Sequence, residues 1–377
     1  MKVLHIVPSY KPAYVYGGPI ESIAKLCEGL AAMGNEIHVL TTTANGEKEL
    51  NIEPGTTKEV DGVKVTYFRR VTKDPTHASP ALWIHLFKNV KHYDLVHIHS
   101  WWNLLVIVSA LICHLQSVKL VVAPRGMLSK YIFNSSFSIL KKLIHYTIGS
   151  KILSKSYYHA TSEAEKEECE RLIGGWKGFV VPNILDLPDE PIEKSTEPQL
   201  RLLFLSRLHP KKGLELLIES LSTIRFPFSL TIAGSGEEQY VDELKALAQY
   251  HHVEDRITWK GWISREDKYG ELQKADVFVL VSHNENFANS VIEALHMGTA
   301  VLVSEGVALA GFVREHDLGW VCPRDLNSIA AAVQDAYLNK EKNMRICRTS
   351  REIVQQVFSE ERVLNSYIQE YQSLLLT

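Results

Sequence analysis

The sequence has few cysteines, no long apolar run and no excess of charge of either sign, and each absence excludes a class of protein. Its 377 residues contain 5 cysteines, none in a C-x-x-C pair, which argues against a disulfide framework and favours a reducing compartment. The apolar stretch 104–113 falls well short of the about 20 residues that a membrane-spanning helix needs. The run Val3–Val7 is likewise too short for a signal-peptide core. With 41 Lys and Arg against 44 Asp and Glu, the chain lacks the charge of a general nucleic-acid binder. From the cysteines and the short apolar runs we expect a cytoplasmic protein.

The residues that are present predict two domains of alternating strands and helices. Hydrophobic residues make up 45% and charged residues 23%, which is typical of a protein with a folded core. Short β-branched runs alternate with helical patterns from the N-terminus to about residue 181, and a second alternating series begins at residue 202. Most runs are apolar throughout, as in parallel strands buried on both faces. The stretch 185–199 is rich in proline and acid and predicts a linker between two doubly wound α/β domains.

The first candidate site lies in the segment 281–295, where a predicted strand is followed by a loop and the start of a helix. Asn289 or Ser290 can cap that helix, and its N-terminal N–H groups can then bind an anion. Glu285 in the loop and Glu293 in the helix flank this position. Two carboxylates repel phosphate but suit the hydroxyl groups of a sugar or a ribose. The alternative is a capped surface helix with ordinary acidic residues.

The second candidate site lies in the segment 205–213. Arg207 ends a predicted strand, Gly213 opens the next helix and Lys212 stands between them, so that two cations and a helix N-terminus can converge on one polyanion. A diphosphate leaving group requires such neutralisation. The alternative is a basic turn exposed to solvent.

Together the two segments resemble the retaining glycosyltransferases of the GT4 family, which have the GT-B fold. Glu285 and Glu293 match the family's E-x7-E motif, and Arg207, Lys212 and Gly213 match its R-x4-K-G motif. The resemblance extends over nearly the whole chain, with further similar segments at 8–18, 94–99, 160–163, 180–183, 233–236 and 260–262.

The chain departs from the family pattern at two places. Asn286-Phe287-Ala288 stands where many members have Gly-Phe-Gly, and Ile184 replaces a frequent glycine. The methyl group of Ala288 restricts how closely the backbone can approach a phosphate or a sugar.

The resemblance implies an α/β fold with two Rossmann-like, doubly wound domains that face each other across a cleft. The first would be an acceptor domain, 1–186 with about 359–377, and the second a nucleotide-sugar donor domain, 187–358. The terminal helix would cross back to the first domain. Its apolar residues recur at helical spacing, which predicts one buried face: Val363, Leu364, Tyr367, Ile368, Tyr371 and Leu374.

Site roles follow from the resemblance by position. Arg207 and Lys212 would bind the donor diphosphate, Glu293 the ribose diol, and Glu285 a hydroxyl of the transferred sugar. His99 would end a strand of the first domain and face the sugar, whereas His97 is expected to be a core residue. The remaining donor contacts are Trp262 and Ile263, through their backbone, with Asn289 and Ser290 at the helix start. Position alone assigns Gly18 to the donor and Gly17 and Arg125 to the acceptor, because the glycines precede a predicted helix and the arginine follows a predicted strand. The alternatives are an ordinary Gly-Gly turn and an exposed loop arginine.

The implied reaction moves a hexose from a nucleotide diphosphate sugar, a UDP-sugar such as UDP-glucose, to a saccharide or lipid-linked saccharide in cell-surface polysaccharide synthesis. The chain has no Asp-x-Asp motif, the carboxylate pair that holds a divalent metal in other glycosyltransferases, so we expect neither a metal nor a cofactor. Retention by same-face substitution requires no enzyme nucleophile. The alternatives are a non-catalytic nucleotide-sugar-binding module and a GT-B-like nucleotide-sugar epimerase.

Charge patterning in the first domain predicts one further partner. Residues 95–162 contain no Asp or Glu, and aromatic residues are interleaved with the basic ones. This combination is typical of an interfacial surface attracted to anionic lipid, which would place the protein at the inner face of the cell membrane. The alternative is a core helix with a solvated basic face. The cations are Lys119, Arg125, Lys130, Lys141, Lys142, Lys151 and Lys155.

Overall fold

The computed structural model describes residues 1–129, 132, 138–189, 192, 194 and 197–376. The chain forms two compact units: Met1–Asp186 with the C-terminal segment from Phe358 onward, and Leu187–Val357. Lys130 lies outside the described residues, as does the side chain of Lys141. In the part of the chain that is described, no helix combines the length and the apolar character needed to cross a bilayer.

Ten strands are described in the first unit. Eight of them form one sheet in the order β10-β9-β8-β7-β1-β2-β6-β5, and β3 and β4 form a separate hairpin. All pairs in the large sheet are parallel except β5 with β6 at one edge. The strands are β1 (Lys2–Ile6), β2 (Glu36–Thr42), β3 (Ala44–Asn45), β4 (Lys48–Glu49), β5 (Thr57–Val60), β6 (Val63–Phe68), β7 (Leu95–His99), β8 (Lys119–Ala123), β9 (Tyr157–Ala160) and β10 (Gly178–Val180).

Helices cover both faces of this sheet, and a hydrophobic core lies under each set. One core is shared by α2, α3, α5 and α6, and the other by α1 and the C-terminal helix. A π-helical turn, His145–Gly149, joins α4 to α5. The helices are α1 (Gly18–Ala32), α2 (Pro80–Asn89), α3 (Leu104–Leu115), α4 (Ser138–Ile144), α5 (Ser150–Leu153) and α6 (Glu163–Leu172).

The second unit is a six-stranded parallel sheet in the order β13-β12-β11-β14-β15-β16. Its strands are β11 (Leu200–Leu205), β12 (Phe228–Ala233), β13 (Ile257–Gly261), β14 (Val277–Leu280), β15 (Ala300–Ser304) and β16 (Gly319–Cys322). Its helices are α7 (Leu214–Leu221), α8 (Glu238–Tyr250), α9 (Arg265–Lys274), α10 (Asn289–His296), α11 (Ala310–Glu315), α12 (Leu326–Leu338) and α13 (Lys340–Phe358).

The C-terminal helix, α14 (Glu360–Leu376), belongs to the first unit although it follows the second in sequence. Its buried residues, among them Val363 and Tyr371, contribute to the core beneath α1. The two helices approach closely, because a Cβ added at Gly29 would lie 2.6 Å from a methyl group of Leu364. The predicted fold class, with two doubly wound sheets and a helix that returns to the first unit, is confirmed.

Candidate functional site

The charged residues singled out in the second unit follow two adjacent strands. β11 pairs in parallel with β12 on one side and with β14 on the other. The strands that follow β11 in sequence are therefore added first on one side of it and then, from β14 onward, on the other. Open α/β sheets bind ligands at such a switch point in the strand order. The loop after β11 leads to α7, and the loop after β14 leads to α10.

Backbone contacts hold these two loops together. His283 donates its N–H to the carbonyl of Lys211 at 2.8 Å. Gly213 has a φ of 71°, and a Cβ at this position would lie 2.4 Å from the carbonyl oxygen of Val281. Only glycine tolerates both this φ and this close approach. The glycine of the R-x4-K-G segment thus permits the contact between the loops.

Each of the two predicted carboxylates is paired with a lysine. Lys212 Nζ donates to Glu285 Oε1 at 2.7 Å, and the two side chains are 17% and 12% exposed. Lys268 Nζ donates to Glu293 Oε1 at 2.8 Å, with exposures of 16% and 10%. Charge-assisted hydrogen bonds of this length fix both carboxylates. The structure therefore brings Lys212 and Glu285 together.

Two cations near the site were missed in the sequence. Lys268 lies on α9, which belongs to neither motif, and Arg324 lies just before α12. Arg324 donates from Nε to the carbonyl oxygen of Val281 at 3.2 Å, the same oxygen that lies against Gly213. Both contacts join elements that are distant in sequence, and no local pattern marks them.

The start of α10 differs from the prediction. The predicted cap by Asn289 or Ser290 is wrong, because the N-cap residue is Ala288, which makes no side-chain cap hydrogen bond. Ala288 is in the left-handed region, with φ 65° and ψ 70°, and the helix begins one residue later at Asn289. A side chain caps a helix from an extended backbone, which the left-handed turn does not provide. Asn289 and Ser290 therefore lie in the first helical turn.

Three other predicted donor contacts lie at the ends of strands of the same sheet. Arg207 is exposed and follows β11, whose neighbour β12 pairs in turn with β13. Trp262, which is 76% exposed, and the partly buried Ile263 follow β13. The assignment of Arg207 to the diphosphate and of Trp262 and Ile263 to the donor stays a prediction.

In the first unit, Gly17 and Gly18 form the start of α1. Gly17 is the N-cap residue, with φ 70° and ψ −145°, and Gly18 is the first residue of the helix. The left-handed φ explains glycine at the first position. Their assignment to phosphate or acceptor stays a prediction.

The structure places His99 and Arg125 in contact. His99 is fully buried, its Nε2 hydrogen-bonds His5 Nδ1 at 2.9 Å, and its Nδ1 lies 3.4 Å from the Arg125 guanidinium. Arg125 also donates to Asn183 Oδ1 at 2.7 Å and to Ser22 Oγ at 3.2 Å. In this arrangement His99 does not reach the surface, whereas Arg125 is only partly buried and reaches it.

A network of buried histidines lies behind Arg125. His97 hydrogen-bonds the Tyr371 hydroxyl at 2.7 Å and His159 at 3.2 Å, in agreement with its expected place in the core. Burial lowers the pKa of all four imidazoles, to about 3 for His5 and His159, and well below the usual value for His97 and His99.

Three of these histidines have the spacing of metal ligands, because ring nitrogens of His5, His97 and His99 lie within 4.8 Å of one another. His5 Nδ1, His97 Nδ1 and both ring nitrogens of His99 take part in hydrogen bonds, and the guanidinium of Arg125 lies beside the cluster. His5 Nε2 is buried and has no hydrogen-bond partner among the described residues. A positive charge 3.4 Å from His99 opposes a second cation there. Burial, which lowers the pKa of all three imidazoles, and these hydrogen bonds are the features of a neutral buried network.

Comparison with known proteins identifies the family. Residues 16–188 match the family model described as Glycosyltransferase Family 4, and residues 188–353 match the model described as Glycosyl transferases group 1. The two matches follow one another and together span most of the chain. The chain belongs to the GT4 family of glycosyltransferases.

Two distant relatives match over nearly their whole length. Glycogen synthase from Mycobacterium tuberculosis is 24% identical over 98% of this chain and 94% of its own. A GDP-mannose:cellobiosyl-diphosphopolyprenol alpha-mannosyltransferase from Xanthomonas oryzae pv. oryzae is 22% identical over 100% of this chain and 97% of its own.

Solved structures confirm the GT-B fold. Sucrose-phosphate synthase from Thermosynechococcus elongatus has a TM-score of 0.76 and 20% identity, and the match covers 100% of both chains. HepE from Anabaena in complex with UDP and glucose has a TM-score of 0.75 and 17% identity, with 99% of this chain and 100% of the other covered.

Proposed function

We propose that this glycosyltransferase moves a hexose from a nucleoside diphosphate sugar, with retention of configuration and without a metal, to a saccharide or lipid-linked saccharide acceptor. The observation that carries the proposal is the pairing of Lys212 with Glu285 at the switch point of the second sheet. A cation and a carboxylate held at 2.7 Å provide one group for a diphosphate and one for a sugar hydroxyl. Cell-surface polysaccharide synthesis is the pathway we propose, since the Xanthomonas relative acts on a diphosphopolyprenol-linked sugar.

The donor we propose is a UDP-sugar, UDP-glucose in the first instance. The HepE structures with UDP-glucose and with UDP support this choice, whereas the name of the Xanthomonas relative supports GDP-mannose. The two donors differ in base and in sugar, so a donor panel distinguishes them directly.

In the proposed reaction the bond between the anomeric carbon and the diphosphate oxygen breaks as the acceptor hydroxyl attacks the same face. The departing phosphate oxygen takes the proton of that hydroxyl, so the chain supplies no nucleophile. Arg207 and Lys212 neutralise the leaving diphosphate, Glu285 binds a hydroxyl of the transferred sugar, and Glu293 binds the ribose. The contribution of Lys212 is electrostatic, because its ammonium group is in place before charge develops.

On the acceptor side we assign Arg125 and Gly17. Arg125 donates to Ser22 on α1, the helix whose N-cap residue is Gly17. Its hydrogen-bond acceptors Asn183, Ser22 and His99 are all neutral. The carboxylate of Glu165 also acts on the charge of Arg125, and the planar guanidinium can bind an anionic or hydroxylated acceptor. His99 then acts through Arg125, which it contacts, rather than on the sugar directly.

The test is donor turnover by the purified chain with UDP-glucose and GDP-mannose, with chelator or with added Mn²⁺ or Mg²⁺. We expect turnover in chelator, and a loss of about 10²–10³-fold in Lys212→Ala, the typical cost of removing a preorganised group that stabilises developing charge. Lys211→Ala, one residue away, is the matched control and should keep most of the activity.

The contrary outcomes are distinct. Full activity in Lys212→Ala or strict dependence on a divalent metal would overturn the mechanism. An epimerised donor without release of nucleotide would make the protein an isomerase. Tight donor binding with no turnover for any acceptor would make it a binding module.

A further inference from the structure

Three helical segments on one face of the first sheet contain no acidic residue. Apart from Asp94, residues 75–162 include no Asp or Glu, and this range contains α2, α3, α4 and α5. Buried side chains from α2, α3 and α5 share one core, so these elements cover the same face. The exposed side chains of α2, α3 and the described part of 138–153 are called the acid-free surface below.

Direct contacts join these segments to one another. Trp83 on α2 donates from Nε1 to the carbonyl of Leu105 on α3 at 3.2 Å. His114 near the end of α3 hydrogen-bonds the carbonyl of Ile152 on α5 at 2.8 Å. The acid-free surface is therefore continuous across the three segments.

The acid-free surface exposes large apolar side chains in stripes. On 138–153, Ile139, Leu143 and Tyr146 recur at helical spacing and are 82%, 60% and 71% exposed. On α3, Leu111 and Leu115 are 42% and 67% exposed. Exposed apolar residues scattered singly need no explanation, but adjoining stripes mark an interaction surface. On α2 the exposed apolar residues are Ile84 and Phe87.

Lysines accompany the apolar stripes and are themselves exposed. Lys88 lies on α2, Lys142 on α4, Lys151 on α5 and Lys155 just after α5. A basic face of ordinary core helices has polar residues at its exposed positions, whereas here the exposed positions hold Leu, Ile and Tyr as well. Apolar side chains with lysines and no acid are the composition of interfacial helices that bind anionic membranes.

We propose that the acid-free surface binds an anionic lipid bilayer, with the apolar stripes in the interface and the lysines at the headgroups. The occupant is a membrane surface rather than a protein, since every charge in this range except Asp94 is of one sign and a lipid surface is uniformly anionic. The acidic helix α6, whose sequence is EAEKEECERL, follows the range and limits the surface on that side. This proposal is independent of the proposed reaction, because it concerns binding alone.

The test is sedimentation of the full chain with vesicles of phosphatidylcholine alone and with vesicles that contain phosphatidylglycerol. We expect binding only to the anionic vesicles. Each lysine near an anionic surface changes the partition coefficient about fivefold, so Lys88, Lys142, Lys151 and Lys155 changed together to Glu should abolish binding. The matched control changes four exposed lysines elsewhere to Glu, with the same change in net charge: Lys48, Lys58, Lys73 and Lys245.

A second variant tests the apolar stripes. Leu115→Gln, Leu143→Gln and Tyr146→Gln are changes at exposed positions and leave the core intact. Together they should weaken binding at least tenfold and make the remaining binding more sensitive to salt, since only the electrostatic part is screened.

Three results would overturn the proposal. The first is no binding of the wild-type chain to anionic vesicles. The second is an equal loss in the matched control, which would indicate a net-charge effect. The third is self-association of the chain without vesicles, seen as sedimentation or as a dimer, if Leu143→Gln abolishes it. That result would assign the surface to a second copy of the chain. Because turnover is not the readout, each result is distinct from failure of the proposed reaction.

Discussion

At the scale of single residues, Ala288 holds a backbone conformation that alanine rarely adopts. Its φ of 65° places its Cβ against the following carbonyl oxygen, which costs roughly 1–2 kcal/mol for an L-residue. The strain lies at the start of α10, between Glu285 and Glu293. Strained backbone persists where the surrounding structure determines it, and such places are often functional.

We expect Ala288→Gly to raise the free energy of unfolding by about 0.5 kcal/mol, since relief of the strain exceeds the added entropy of the unfolded chain. Ala246→Gly, at an exposed position within α8, is the matched control and should lower it by about 1 kcal/mol. Urea denaturation of both variants measures the difference. Equal losses in the two would show that the left-handed conformation carries no cost.

Glu285 and Glu293 should respond differently to mutation, because one is assigned to the sugar and the other to the ribose. Glu293→Gln should weaken the binding of free UDP about tenfold or more, since a hydrogen bond to a charged group contributes about 1.5–3 kcal/mol. Glu285→Gln should lower turnover without weakening UDP binding, because Lys212, freed from its carboxylate partner, still binds the diphosphate. Calorimetric titration of UDP into both variants decides the matter, and equal weakening would remove the distinction.

How much of the site is readable from sequence also depends on the residue. Lys212 and Glu285 belong to loops that follow adjacent strands, so strand order alone brings them together. Lys268 comes from a different helix and Arg324 from a different loop, and only the folded unit places them there. The burial of His99 likewise depends on other strands.

At the scale of elements, the βα units are readable because their strands are apolar throughout and their helices have one apolar face. The edge of the first sheet was missed. β5 pairs antiparallel with β6, and its exposed residues Thr57–Glu59 lack an apolar pattern. The sequence signal that predicts this hairpin is the dipeptide Asp61-Gly62, which is typical of a two-residue turn of type I′. In the structure the two residues have φ values of 50° and 79°, as that turn requires.

The C-terminal helix shows how an apolar pattern and polar contacts together fix an element. Its periodicity predicts burial but not its partner. The partner is specified by hydrogen bonds, since the Tyr367 hydroxyl bonds His159 and the Tyr371 hydroxyl bonds His97. The bonded residues are 208 and 274 positions apart in the sequence, so no local pattern indicates these contacts.

At the scale of the whole molecule, the near-neutral composition conceals a separation of charge. The formal net charge is −3, yet the range 75–162 has a single acid and the helix α6 that follows is rich in glutamate. A net charge therefore says little about partners here, because binding to a surface depends on charges within about a Debye length of it.

The buried histidines make the stability of the molecule depend on pH. His5, His97, His99 and His159 have lowered pKa values in the folded chain, about 3 for the first and the last, against about 6.5 when unfolded. Below about pH 6.5 the unfolded chain binds protons that the folded chain does not, so stability is full above this pH and falls as pH decreases toward 3. Each histidine should contribute about 1.4 kcal/mol of loss between about pH 7.5 and about pH 5.5.

We therefore expect the urea concentration at the unfolding midpoint to be lower at pH 5.5 than at pH 7.5. In His159→Gln this difference should be smaller by the contribution of one histidine, about 1.4 kcal/mol of unfolding free energy. The variant loses stability at every pH because its neighbours lose a partner, so the readout is the difference between the two pH values rather than either value alone. His92→Gln, at an exposed position, is the matched control and should keep the full difference. If His159→Gln keeps the full stability difference between the two pH values as well, this imidazole takes up its proton in the folded chain as it does in the unfolded chain. The description of the four histidines as a neutral network would then be wrong.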